Sequence, residues 1–271
     1  MSTFAPLERV EVCHAVAPRD RILVRGGDAL DFLHRISASA TGGPEPRHLV
    51  LTDDKGALID APLACPFEDG FRLVAGPGRG PDLAAWLEKW IIVEDVRVQP
   101  DPQEAWRLGE PELVAGDVVR PRTHAGPAVL LGGVAPSRVD LPEWDAANFR
   151  AGRLYSGPAT ASGPNPLELG WKDLIAFDKG CYIGQEVIAR MDTYDKVRRG
   201  LSIAALVAPL AAGTALSVAG KKCGRVLSSV VLDEGVFAWV VVDKSLAAGV
   251  QLQAGNEAGG TLLQAPSPAS G

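Results

Sequence analysis

Cys181 is the side chain in this sequence best placed to do chemistry. It stands in the run Asp178-Lys179-Gly180-Cys181-Tyr182-Ile183-Gly184-Gln185-Glu186-Val187-Ile188, two residues after a lysine and next to a glycine. Ile183, Val187, Ile188 and Met191 recur at helical spacing, which predicts a helix from Tyr182 to about Met191 with Cys181 at its N-terminus. Glu186 and Arg190, four apart with the acid first, would pair on its outer face. A thiol at a helix start beside a cation has its thiolate favoured by the positive end of the dipole. A free cysteine ionises near ~8.5, and such surroundings lower that by about a unit or more. The pattern predicts a reactive or ligating thiol, kept ionised by Lys179. The competing reading is that a free cysteine is a small buried hydrophobe. No histidine lies near Cys181 in the sequence to act as its base.

The neighbours admit two readings each. Tyr182 could stack on a flat ligand or pack at the helix start. Gln185 and Glu186 could hold the polar edge of a ligand or hydrogen-bond the backbone before the helix. Trp144 and Trp171 read as core or interface residues. His14, His34, His48 and His124 are scattered, without the spacing of a metal or metalloprotease motif. Gly26-Gly27 before a helix lacks the rest of a phosphate-binding loop.

Lys179-Gly180-Cys181-Tyr182-Ile183-Gly184-Gln185-Glu186, followed by Arg190, resembles the K-G-C-[YF]-x-G-Q-E-x-x-x-[RK] signature of the YgfZ-type proteins. These are folate-binding relatives of the glycine-cleavage T-protein that maintain iron–sulfur enzymes. Val24 to Leu33 is similar to that family's opening V-x-G-x-D-A-x-x-F-L, Leu51 to Asp60 to its second hairpin, and Pro166 to Gly170 to its P-x-E-x-G. The resemblance runs from about Arg21 to the mid-250s. It implies an accessory protein for assembly or repair of iron–sulfur clusters. Cys181 and Lys179 would be the working pair. Asp60, Glu168, Tyr182, Gln185, Glu186 and Arg190 would lie around a bound tetrahydrofolate in the cleft of the α+β body. The partners it implies are iron–sulfur client enzymes or assembly factors. Two positions depart from the pattern. Ala61 stands where T-protein-like enzymes have the second of two acids, and Arg150 replaces the acid that holds the pterin. An arginine accepts no hydrogen bond. The departures predict weakened tetrahydrofolate binding, and they speak against the alternative of a folate-dependent aminomethyl or methyl transferase.

The elements around these residues read as follows. Arg21 to Val24 is a strand, and Asp28 caps a helix through Ile36. His48 to Thr52 and Ala57 to Cys65 form a hairpin about Asp53-Asp54-Lys55-Gly56. Phe71 to Ala75, a helix from Pro81 to about Trp90, and Val93 to Val98 complete a split β-α-β layer. Ser156 to Pro166 is a loop rich in glycine, proline and small polar residues. From Val197 the pattern changes to short strands with glycine turns: Leu201–Val207, Ala215–Val218, Gly224–Val231 and Val236–Val242. The expectation is an α+β fold: a T-protein-like body of ferredoxin-like units over 1–195, a small C-terminal β-barrel over 196–264 and a disordered low-complexity tail over 265–271.

Composition narrows the function classes. A chain of 271 residues that is 46% hydrophobic can bury a sizeable core. A net charge of −6 argues against a nucleic-acid partner. The basic run at Lys196, Arg198 and Arg199 reads as a solvated strand start. Cys13, Cys65, Cys181 and Cys223 are too dispersed for a closed zinc site or a four-thiolate cluster and suit a reducing cytoplasm. No signal peptide or membrane-spanning run is expected.

Overall fold

The computed structural model describes residues 13–15, 17–43, 45–103, 105–108, 117–119, 128–131, 139–155 and 163–266. The expectations for the N-terminal segment, His124, positions 156–162 of the Gly/Pro loop and positions 267–271 of the tail lie outside these residues.

The body opens with β1 (Cys13–Ala15), β2 (Arg21–Arg25) and α1 (Ala29–Ile36). Next come β3 (Arg47–His48), β4 (Leu51–Thr52), β5 (Leu58–Asp60), β6 (Leu63–Phe67), β7 (Gly70–Val74), α2 (Gly80–Lys89) and β8 (Arg97–Pro100). The antiparallel sheet β3-β6-β7-β2-β8 contains the strand order of a ferredoxin-like β-α-β-β-α-β unit in β6-β7-β2-β8. Its helices are held by Val24, Phe32, Leu33, Ile36, Leu73, Leu83 and Leu87. Phe32 and Leu33 are fully buried, and each contributes on the order of 2 kcal/mol. Asp20 fixes the entry to α2: its carboxylate accepts from Gly78 N (2.8 Å), just ahead of the helix, and from Gly80 N (2.9 Å), an orphan N–H of the first turn.

Two local expectations are corrected. Asp28 occupies the cap position of α1, but its side chain makes no cap bond and instead accepts from Asp95 N at 2.8 Å. Residues 92–95 are bends, and the strand begins only at Arg97, so Ile92 and Val93 stand in solvent.

A second sheet orders β1 with β9 (Ala105–Leu108), β11 (Ala128–Leu131) and β10 (Asp117–Val119) as β1-β9-β11-β10. After it come α3 (Leu141–Arg150), a 3-10 turn at Pro166–Leu169, and α4 (Gln185–Thr193). The last strands are β12 (Arg199–Leu206), β13 (Ala215–Val218), β14 (Lys221–Leu232), β15 (Gly235–Asp243), β16 (Gln251–Ala254) and β17 (Glu257–Leu262). They close a six-stranded antiparallel barrel in the order β12-β15-β14-β13-β16-β17. The two-residue strand period splits β15 between two cores. Ala238, Val240 and Val242 fill the barrel, whereas Trp239 and Val241 face the body. There they meet Leu58, Phe149, Leu167, Tyr182 and Ile188, so body and barrel share one core.

Candidate functional site

The Cys181 loop is built by two anchors. The first is Lys179, whose Nζ donates to the carbonyls of His34 (2.6 Å), Ser37 (2.6 Å) and Ser39 (2.9 Å). These oxygens lie at and just beyond the last turn of α1, where backbone carbonyls lack helical partners and the dipole is negative. Burial pushes the Lys179 ammonium down to about 8, and the three carbonyls favour its charged form. Its Nζ also sits 5.5 Å from the centroid of the Tyr182 ring.

The second anchor is the hairpin of β4 and β5. Thr52 Oγ1 donates to the Ile183 carbonyl at 2.7 Å. Gly184 has φ +82°, and a side chain there would place Cβ 2.5 Å from Asp53 O and 2.6 Å from Thr52 Oγ1. Only glycine fits this turn. It delays the helix, which starts at Gln185 and not at Tyr182. Cys181 therefore stands four residues ahead of α4 and not at its N-terminus, and its position gives no support to the dipole argument. Lys179, for its part, spends its donors on carbonyls. What the two anchors do is hold Gly180 and Cys181 outward: both are exposed. Cys65 and Cys223 are buried, and burial pushes the Cys65 thiol up to about 12 and raises that of Cys223. Among the described residues no group of three or more His, Cys, Asp and Glu is arranged to hold a metal ion.

The remaining expected residues divide between interior and surface. Tyr182 is buried, its hydroxyl has no partner among the described residues, and burial pushes its phenol up to about 12. Gln185 is half-buried at the first position of α4. Glu186 and Arg190 pair with each other on the exposed face, as their spacing predicts. Asp60 is fully buried, and its Oδ1 accepts from Ala61 N at 2.7 Å. Glu168 is buried and turned toward the barrel. Its Oε1 takes Arg199 Nε and Nη2 at 2.7 Å, and its Oε2 takes Asn165 N at 3.1 Å. Arg225 Nη2 is 3.9 Å from Oε2. Arg199, read from the sequence as a solvated charge, is thus a tie between barrel and body. Arg150 also reaches the barrel, where its Nη2 pairs with Glu234 at 3.1 Å.

Sequence reading passed over three contributors. The α1 carbonyls left no side-chain signal, and Thr52 is joined to Ile183 only by folding. Asn165 did leave a signal, because Asn-Pro-Leu-Glu is a capping box. Its Oδ1 accepts from Leu167 N at 3.0 Å while its Nδ2 donates to Gly56 O at 2.8 Å. A further feature is a cavity of about 470 Å³ between α3 and the barrel, walled in part by Asn148, Phe149, Leu154, Leu227 and Trp239. None of the eight expected site residues lines it.

The whole structure resembles that of the glycine cleavage system aminomethyltransferase T from Bartonella henselae. The TM-score is 0.63 at 14% identity, with 96% of this chain and 86% of that chain covered. The chain has the T-protein fold. No protein-family model matches it. Two curated sequences do. The tRNA-modifying protein YgfZ of Sodalis glossinidius is 31% identical over 138 residues, 48% of this chain and 42% of that protein. The chloroplastic At1g60990 protein of Arabidopsis thaliana is 36% identical over 101 residues, 37% of this chain and 22% of that protein. The chain is thus YgfZ-like over a T-protein fold, and its matches span less than half the length of either curated relative. No helix among the described residues is long and apolar enough to cross a membrane.

Proposed function

We propose that this protein is an accessory factor for iron–sulfur enzymes, with Cys181 as its working thiol and a reduced folate as its ligand. The observation that carries the reading is the presentation of Cys181. Lys179 on one side and Ile183-Gly184 on the other hold an exposed thiol on a fixed loop. A thiolate is a ligand for iron and a nucleophile toward sulfur. Without a ready set of further ligands beside it among the described residues, Cys181 would bind a cluster or its iron transiently, with the other ligands supplied by the client enzyme. The Sodalis relative is named for tRNA modification. With a net charge of −6, this chain would influence such chemistry through a client enzyme and not by holding the nucleic acid. Tetrahydrofolate is the ligand that the sequence likeness suggests. The transferase alternative draws on the shared fold, which does not specify function, and on the Arabidopsis relative, which is named a transferase and matches 37% of this chain.

The test is deletion of the gene in its host, followed by assay of cluster-dependent dehydratases under oxidative stress. The wild-type gene restores those activities. Cys181→Ser leaves them near the deletion level, although the purified variant melts as the wild type does. Full restoration by Cys181→Ser contradicts the proposal.

A further inference from the structure

We infer that the end of the barrel where β12 and β14 begin and β15 finishes is a docking surface for an acidic face of a partner protein, with Lys196, Arg198, Lys221, Lys222 and Lys244 as its contact charges. The inference rests on the accessory-factor reading above. It supplies the surface on which a client enzyme or assembly factor would settle beside Cys181.

In the sequence the feature is only the short run of Lys196, Arg198 and Arg199, and folding enlarges it. Lys244 N donates to Arg198 O at 2.9 Å, just past the last ladder pair of β12 and β15, Arg199 with Asp243. On the other side of β15 the ladder to β14 ends at Gly224 with Val242, so Lys222 lies just beyond the same end. Lys221 precedes it at the tip of the β13–β14 hairpin. Neighbouring strands are about 4.8 Å apart, which puts the ends of β12 and β14 about 10 Å apart. That is close to the screening length of ~8 Å at physiological salt, so these charges act together. Arg199 is spent on Glu168. The other five make no ion pair and no side-chain hydrogen bond among the described residues. Four of them are exposed and Lys244 is half-buried. Asp195 and Asp243 are the acids within these segments, which leaves an excess of positive charge.

The rest of the molecule decides the kind of partner. The whole chain carries −6, so the surface outside this patch is more acidic still. A nucleic acid would run past the patch onto that remainder and be repelled, whereas a bounded acidic face on a folded protein is not. Lysines predominate here, and they act as hydrated point charges suited to steering, while paired recognition of phosphate favours arginine. Tyr194 adds an aromatic anchor of the kind that dominates protein interfaces: it is 66% exposed, and Lys196 Nζ sits 5.2 Å from its ring centroid. The patch and the thiol lie at opposite ends of α4, whose nine residues span about 14 Å. Between them Glu186 and Arg190 neutralise each other. A standard interface of about 800 Å² per partner reaches across that distance.

The experiment titrates labelled hexaglutamate peptide, and separately a labelled single-stranded RNA oligonucleotide, with the full chain at low salt, read by fluorescence anisotropy. Two charge-reversed variants are compared with the wild type: Lys196→Glu with Arg198→Glu, and Lys221→Glu with Lys222→Glu. They alter separate elements at exposed positions, so a folding defect in one leaves the other informative. The wild type should bind the peptide more tightly than the RNA and release it as salt is raised. Each variant should bind the peptide about tenfold more weakly, with an unchanged melting temperature and an unchanged rate of Cys181 alkylation. Neither should restore dehydratase activity in the deletion host. Tighter binding of the RNA would assign the patch to nucleic acid and overturn the inference, as would undiminished peptide binding by both folded variants. Full restoration of dehydratase activity by both variants, where Cys181→Ser restores none, overturns the docking surface and leaves the accessory-factor reading standing. Full restoration by Cys181→Ser defeats that reading, and this inference with it.

Discussion

Cys65 and Cys181 show how far one side chain's chemistry depends on where the fold puts it. Cys65 is a buried residue of β6 in the central sheet, where burial pushes its thiol up to about 12; Arg72 opposes this and Asp101 adds to it. Folded protein therefore keeps this proton after the unfolded chain, with an ordinary value of 9.0, has lost it. Between pH 9 and 12 the unfolded state binds fewer protons, so this contribution to stability falls as pH rises. Tyr182, raised from 10.0 to about 12, acts in the same direction, and Lys179, lowered from 10.5 to about 8, acts in the opposite one. The clean measurement is thus a difference. The stability of wild type minus that of Cys65→Ala, from urea unfolding, should decline from pH 8.5 to pH 11. A difference that is flat or rising contradicts the assignment. The sequence made Cys181 stand out through its neighbours, but it left the environments of the other cysteines unread, because burial depends on strands that meet only in the sheet.

At the scale of elements, the loop from Phe177 to Gly184 works because both its ends are tied down. Lys179→Met should remove three charge-assisted bonds to the end of α1 and the residues just after it while keeping the stem, at a cost of about 2 kcal/mol. Amide hydrogen exchange should accelerate from Gly180 to Gly184 and at the end of α1. Unchanged protection would show that the lysine does not hold the loop. The helix after it was legible in its apolar repeat and in the Glu186–Arg190 pair. Its start was not, because the repeat runs back to Ile183 while the stop comes from Thr52, 131 residues away in sequence. The capping box at Asn165 was legible in residue types alone. The role of Glu168 was not, since its partners Arg199 and Arg225 come from two barrel strands.

Across the whole molecule, the α+β body and the barrel could be read from the change of pattern after Lys196. The four strands named from sequence carry apolar residues in alternation or in runs. The two that close the barrel, β16 and β17, were hidden by residues such as Gly255, Gly259 and Gly260, which carry no strand preference. Body and barrel share the core around Phe149, Tyr182 and Trp239, and they are tied by the buried Glu168 with Arg199 and, nearer the surface, by Arg150 with Glu234. The cavity lies within this junction, and no motif announced it, because its walls come from α3, β14 and β15. The central claim is that Lys179 and the β4–β5 hairpin together hold one thiol outward. Site-resolved alkylation of the native protein at neutral pH, followed by mass spectrometry, tests it most directly. The account predicts that Cys181 is modified at least tenfold faster than Cys65 or Cys223, which react only on unfolding. Modification of Cys65 or Cys223 at the rate of Cys181, or a Cys181 that reacts only in denaturant, would contradict it.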